Sequence, residues 1–168
     1  MNEDFGQVYD QYIERIYRFI FLKVTSQETA EDLCADVFVR VMNQMEKTRI
    51  ENIQAFLYQI ARNTLADYYR ERAKFRVVPV EEIGDIIDPP EGIIRQAAVH
   101  SDMDRIRENM AELEDEEQNL IIWRYLDELS IPEIAQLTGK TEGNVRVGIH
   151  RALQELKEKM SGQEKEIV

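Results

Sequence analysis

Through its first 78 residues the chain contains no proline and a single glycine, Gly6. Proline breaks a helix interior and glycine weakens it, so a stretch lacking both is free to run as long helices. Its apolar residues recur at three- and four-residue spacing. Phe5, Val8, Tyr9, Tyr12, Ile16, Tyr17 and Ile20 form one stripe. Ala30, Leu33, Cys34, Val37, Phe38, Val41, Met42 and Met45 form a second, and Ile53, Phe56, Leu57, Ile60, Ala61, Thr64, Leu65 and Tyr68 a third. Each is the buried face of an amphipathic helix. Three such helices close one core within about 75 residues, the size of a small domain. No segment alternates apolar and polar residues between turn signals, as a half-buried strand would. The sequence predicts an all-α chain.

A second helical unit is written into Leu129–Leu156. Ser130 is placed to cap a helix, with Glu133 three residues on to complete a capping box. Ile131, Ile134, Ala135 and Leu137 make a short apolar face. Gly139 stands where a helix ends in a left-handed residue, a conformation glycine adopts without steric cost. Thr141 is a cap for a following helix, in which Val145, Ile149, Ala152, Leu153 and Leu156 keep helical spacing. A helix-turn-helix needs a small residue where its helices cross, a glycine in the turn and a branched apolar residue early in the second helix. Ala135, Gly139 and Val145 meet those needs. Such a unit lays its second helix in the DNA major groove, whereas a plain helical hairpin would only pack in a bundle.

Between these units the helical pattern breaks. Pro79, Gly84, Pro89, Pro90 and Gly92 interrupt residues 76–101, and Glu81, Glu82, Asp85, Asp88 and Glu91 add like charge. This reads as an acidic linker, although Ile83, Ile86, Ile87, Ile93 and Ile94 make it more apolar than a tether needs. The predicted organisation is a first domain over 1–75, the linker over 76–101, a helix-turn-helix domain over 102–160 and a flexible tail over 161–168.

The net charge of −12 is unevenly spread. Residues 77–117 hold 13 Asp/Glu against 3 Lys/Arg. Arg62–Arg76 carries five basic and two acidic residues, and Gly139–Lys159 five basic and three acidic. Two locally basic segments flank an acidic one. Cys34 is the single cysteine, so no internal disulfide forms, and with only His100 and His150 beside it a structural zinc site is not expected. No apolar run approaches the roughly 20 residues of a membrane span, and no charged-then-apolar leader opens the chain. A cytoplasmic protein without metal or cofactor is expected. No nucleophile–base arrangement or phosphate-cradling glycine loop appears, so no catalytic residue is assigned.

With these features in order, the chain resembles the sigma-70 family of RNA polymerase sigma factors, in its two-domain extracytoplasmic-function group. Ala30-Glu31-Asp32-Leu33 followed by Asp36-Val37-Phe38 looks like the family's core-polymerase-binding helix. Phe56-Leu57-Tyr58-Gln59-Ile60-Ala61-Arg62-Asn63, then Asp67-Tyr68 and Arg70, looks like the helix that melts and reads the −10 promoter element. Leu129-Ser130, Glu133-Ile134-Ala135, Val145 and His150-Arg151-Ala152 look like the helix-turn-helix that reads the −35 element. The family usually has glutamine at Ala35 and tryptophan at Phe56. Val147 and Gly148 stand where serine and a basic residue are frequent, and a glycine inside a helix costs about 1 kcal/mol relative to alanine.

The resemblance assigns roles. It implies that Glu31, Asp32, Asp36, Arg40 and Asn43, with Gln44, dock on a coiled coil of the polymerase clamp; composition alone would read them as a solvated face. Arg62, Asn63, Asp67, Arg70 and Arg72 share one side of the third helix, with Tyr58 and Tyr69 nearby. Cations and aromatic rings together suit the phosphates and unstacked bases of single-stranded DNA, although tyrosines there could equally complete the core. A flipped-out base is implied to meet the Met45–Asn52 loop, which contains Lys47 and Arg49. In the recognition helix, Glu142, Asn144, Arg146 and Val147 are placed for bases, because the N-terminal half of such a helix faces them. Lys140, Thr141, His150 and Arg151 are placed for phosphates.

Duplex DNA binding draws most of its strength from phosphate neutralisation, so a chain with this net charge should bind weakly alone. A partner holding both domains would supply the missing affinity. The resemblance implies core RNA polymerase and promoter DNA as partners, and admits an anti-sigma factor. The competing readings are a helix-turn-helix regulator that binds its operator alone and an all-helical adaptor with no DNA role.

Overall fold

A computed structural model describes residues 4–74 and 101–166. The predicted acidic linker, apart from Ser101, lies outside the described residues. So do the isoleucines singled out there.

Helices α1 (Phe5–Phe21), α2 (Gln27–Lys47) and α3 (Ile53–Lys74) form the first domain, each packed on the other two. Their bounds follow local capping. Ser26 Oγ accepts the Thr29 amide at 3.1 Å to start α2, and Asn52 Oδ1 accepts the Ala55 amide at 3.1 Å to start α3. The second domain contains α4 (Ser101–Met110), α5 (Asp115–Ile121), α6 (Ile131–Thr138) and α7 (Glu142–Glu166). Among the described residues there is no strand, as the spacing predicts. Helix α7 runs to Glu166, into the residues read as tail.

Both ends of the α6–α7 turn are built as the sequence requires. Glu133 N–H bonds Ser130 Oγ at 3.2 Å while Ser130 N–H bonds Glu133 Oε2 at 2.7 Å, completing the capping box. Gly139 is left-handed at φ 71°, and Thr141 Oγ1 accepts the Asn144 amide at 3.1 Å.

One element had no sequence signal. Ile122–Leu126 continues α5 as a π-helical turn, in which the Asp127 amide reaches the Ile122 carbonyl at 2.9 Å. Such wide turns interrupt α-helices at few places and are frequent at functional sites. Glu128, left-handed at φ 57°, then swings the chain toward α6.

The three stripes are buried largely as predicted, but the core does not stop at the domain boundary. Trp123, Leu137 and Val145 of the second domain belong to the same continuous cluster as Ile16, Phe19, Tyr58 and Val37 of the first. Cys34 lies within it, 3% exposed, and burial pushes its thiol up to about 12. The thiolate is the reactive form, so the native protein should resist iodoacetamide at pH 8 and react fully once denatured. Mass spectrometry before and after adding urea checks this.

Candidate nucleic-acid interface

The recognition helix is open. Lys140, Thr141, Glu142, Asn144, Arg146, Val147, His150 and Arg151 are all exposed, and Val147 presents half its surface to solvent. Lys140 and Thr141 precede α7 and the other six lie on it, while Val145, Ile149 and Ala152 are buried and anchor the helix to the core. Arg146 lies 3.9 Å from Glu142 one turn earlier, a loose pair that leaves the guanidinium available. Lys140 is paired with Glu116.

Gly148 sits inside α7 without interrupting it. A Cβ at this position would come within 2.8 Å of Leu120 Cδ1, so the missing side chain lets α7 approach α5. The helix-propensity cost expected at this glycine is thus set against close packing. Gly148→Leu should cost about 1–3 kcal/mol by overpacking, measured as a lower urea midpoint at unchanged slope.

On the first domain, Glu31, Asp32 and Asn43 are exposed along α2. Asp36 and Arg40 are half-exposed and paired at 3.2 Å, and Arg40 also reaches Asp67 of α3 at 3.5 Å. One cation thus joins the acidic side of α2 to the basic side of α3. There, Asn63, Arg70 and Arg72 are exposed, with Arg70 3.4 Å from Asp67 and Arg72 donating to the Tyr68 hydroxyl at 2.9 Å.

The α2–α3 loop encloses a feature the sequence did not announce. A cavity of about 620 Å³ opens between it and the start of α1, lined by Phe5, Met42, Met45, Arg49, Ile50 and Ile53 among others. Met, Phe and Ile side chains give it apolar surface, while Asp4, Glu46, Glu51 and Arg49 make most of the rest of its lining charged. Lys47, predicted in this loop, is exposed at the last residue of α2.

Two residues of the α3 set are placed otherwise than on an open face. Tyr58 has no exposed surface. Its ring meets Phe19 edge-on at 5.6 Å and Trp123 edge-on at 5.7 Å, and its hydroxyl donates to Asp127. Burial and the Asp127 charge hold that hydroxyl well above the usual tyrosine range, so it stays a donor. Arg62 is half-buried, donating to the Leu137 carbonyl at 3.2 Å and lying 5.6 Å over the Trp123 ring. Tyr69, by contrast, keeps much of its ring exposed while its hydroxyl bonds the Lys23 carbonyl.

Comparison with known proteins decides what these surfaces belong to. Residues 8–75 match the family pattern of Sigma-70 region 2, and residues 103–156 that of Sigma-70, region 4. The chain is 30% identical over 165 residues to the RNA polymerase sigma factor YlaC of Bacillus subtilis, an alignment covering 95% of this chain and 94% of that one. The chain belongs to the sigma-70 family, in its extracytoplasmic-function group.

As a sigma factor it is a transcription initiation factor that directs core RNA polymerase to promoters, and it is not an enzyme. Solved structures share its fold. CnrH, in complex with the cytosolic domain of CnrY, superposes with a TM-score of 0.70 at 18% identity, covering 94% of this chain and 88% of that one. The sigma factor RpoE of Bartonella quintana, in complex with the anti-sigma factor NepR, gives 0.66 at 20% identity, covering 94% and 97%. Among the described residues no helix of this sigma factor is long and apolar enough to cross a membrane, and no group of His, Cys, Asp and Glu is arranged to hold a metal.

Sequence reasoning missed the residues that join the two domains of this sigma factor. Asp127 is buried and accepts from both Arg18 and Tyr58. Lys23, its side chain almost wholly buried, pairs with Asp115; burial lowers its pKa while the Asp115 carboxylate opposes the shift. Arg107 donates to the Phe21 carbonyl at 2.9 Å and lies 3.7 Å over the Phe21 ring. The signal that could have exposed this seam was a second apolar edge. Phe19 and Tyr58 lie off the stripes of α1 and α3, where a lone three-helix domain would leave them in water.

Proposed function

We propose that this sigma factor docks on the polymerase clamp through Glu31, Asp32, Asp36, Arg40 and Asn43. In this reading it engages the melted −10 element through Arg62, Asn63, Asp67, Arg70, Arg72 and Tyr58 together with Lys47 and Arg49, and reads the −35 element through α7. The observation that carries the reading is the exposure of Lys140, Thr141, Glu142, Asn144, Arg146, Val147, His150 and Arg151 at the start of a helix that Val145, Ile149 and Ala152 fix in the core. The cavity beside Arg49 supports capture of a flipped base in the α2–α3 loop, because Phe5, Met42, Met45 and Ile50 offer a base apolar surface beside a cation. The protein acts in the cytoplasm, where core polymerase and the chromosome are. Since the relative in Bartonella quintana is held by an anti-sigma factor, an anti-sigma partner is part of this reading.

Within α7 the roles divide by position. Arg146→Ala should reduce discrimination at one or two −35 positions by roughly 1–3 kcal/mol, as expected for a lost bidentate base contact. Arg151→Ala, further along the helix, should weaken all promoters about equally and flatten the salt dependence, as for a lost phosphate contact. Transcription from a randomised promoter library with core polymerase and each variant checks both. Equal, sequence-independent losses would show that Arg146 reads no base.

A further inference from the structure

A second cavity, of about 640 Å³, lies between the turn that follows α1, the middle of α3 and the α4–α5 corner of the second domain. Its volume falls within the ~300–1,000 Å³ of small-molecule sites. Leu22, Val24, Leu65, Ala66 and Ala111 supply an apolar wall. Lys23, Arg62 and Arg107 also line it, set against Glu108 and Asp115. Three cations and two carboxylates leave one positive charge over, in a chain whose net charge is −12.

These cations are close together and poorly compensated. The Lys23 side chain is 4% exposed, whereas its partner Asp115 is 77% exposed and stays hydrated. Burial lowers the Lys23 pKa; Asp115 opposes that shift, and the nearby Arg62 guanidinium adds to it by repulsion. Arg107 spends its Nε on the Phe21 carbonyl, and its Nη1 lies 3.8 Å from Asp104, a loose pair. Arg62 Nε and Arg107 Nη2 are buried with no hydrogen-bond partner. Like charges gathered at a half-buried wall are costly unless an opposite charge joins them.

We propose that this cavity binds a small organic anion, one acidic group on an apolar body, with Lys23, Arg62 and Arg107 around the acidic group and the apolar wall against the body. The lining calls for both parts. A bare inorganic ion would leave the apolar wall wet, and a neutral apolar molecule would leave the like charges uncompensated. Tyr69 borders the cavity, and its hydroxyl is tied to the Lys23 carbonyl, which fixes the ring as a firm edge. The lining comes from both domains, so an occupant binds the folded chain and raises its melting temperature by mass action.

The test uses the full chain and two fluorescent probes of nearly the same shape, the anionic anilinonaphthalene sulfonate and the uncharged phenylnaphthylamine. Lys23→Gln and Arg107→Gln each remove one cation. Ala66→Phe fills the cavity from an exposed position on α3, and Lys157→Gln removes an exposed cation of α7 elsewhere. Circular dichroism selects folded variants, and should one cation variant not fold, the other and Ala66→Phe decide. The anionic probe should saturate at one per chain and raise the melting temperature. Each cation variant should weaken it about tenfold or more, as for a lost charge-assisted contact, and Ala66→Phe should abolish its binding. Lys157→Gln should leave it unchanged. The uncharged probe should bind less tightly than the anionic one and respond to Ala66→Phe but hardly to the cation variants. No saturable binding of the anionic probe, or binding that survives Ala66→Phe, would overturn the site. Equal weakening by Lys157→Gln, or equal effects of the cation variants on both probes, would overturn recognition of the anion by Lys23 and Arg107.

Discussion

Trp123→Ala should lower the stability of the protein by about 3–5 kcal/mol, the range seen when a large buried aromatic side chain is deleted and its cavity only partly collapses. Trp123 is 1% exposed. It stacks on Phe19 at 6.0 Å with the rings nearly parallel, meets Tyr58 edge-on and lies under Arg62. It therefore stabilises both domains at once. A domain of this size has about 5–15 kcal/mol to lose, so the loss is a large fraction of the total. Urea denaturation measures it, with Tyr125→Ala as the comparison: Tyr125 is half-exposed two residues away, and its loss should move stability by no more than about 0.5 kcal/mol. Similar small effects for both would mean that the seam contributes little to the fold.

Reversing two charges on α2 should have the opposite profile. Asp32→Lys with Asp36→Lys is expected to abolish co-purification with core polymerase while the helical signal and melting temperature stay nearly unchanged. Asp32 is exposed, and Asp36 is held only by the half-exposed pair with Arg40. Breaking a surface pair of this kind and leaving a like charge at i+4 costs about 0.5 kcal/mol. On the proposed docking face, however, two reversals change the charge presented to the partner by four units, and such effects add up across an interface. Retained polymerase binding would assign the carboxylates to solvent.

The contrast between these two variants marks what could be read from the chain. Helices α1 to α3 and the α6–α7 turn were legible because local rules dictate them. Ser130 with Glu133, Gly139 at φ 71° and the three- and four-residue stripes fix their elements with little help from the rest of the fold. The exposed residues of α7 were legible for the same reason, since the stripe through Val145, Ile149 and Ala152 leaves the opposite side in water. What periodicity cannot show is a helix buried on two sides by two neighbours. Tyr58 and Phe19 lie outside the stripes, yet they fill the space between domains, and the second apolar edge they form does not say which neighbour covers it. Asp127 was equally silent, because an acidic residue beside Glu128 reads as solvated until the partners from 69 and 109 residues away are in place. The cavity under the α2–α3 loop arises from the relative placement of three elements and has no counterpart in any one of them. The glycine at 148 could be read only as a cost until Leu120 appeared across from it.

This chain directs core RNA polymerase to promoters, and in the proposed reading it does so by placing two DNA-reading faces on one enzyme platform. Run-off transcription from genomic fragments, with core polymerase alone and with the protein added, is the test. Added protein should produce discrete new start sites, each preceded by −10 and −35 sequences at constant spacing. A start-site pattern identical with and without the protein, from a core polymerase active on other templates, would contradict the account.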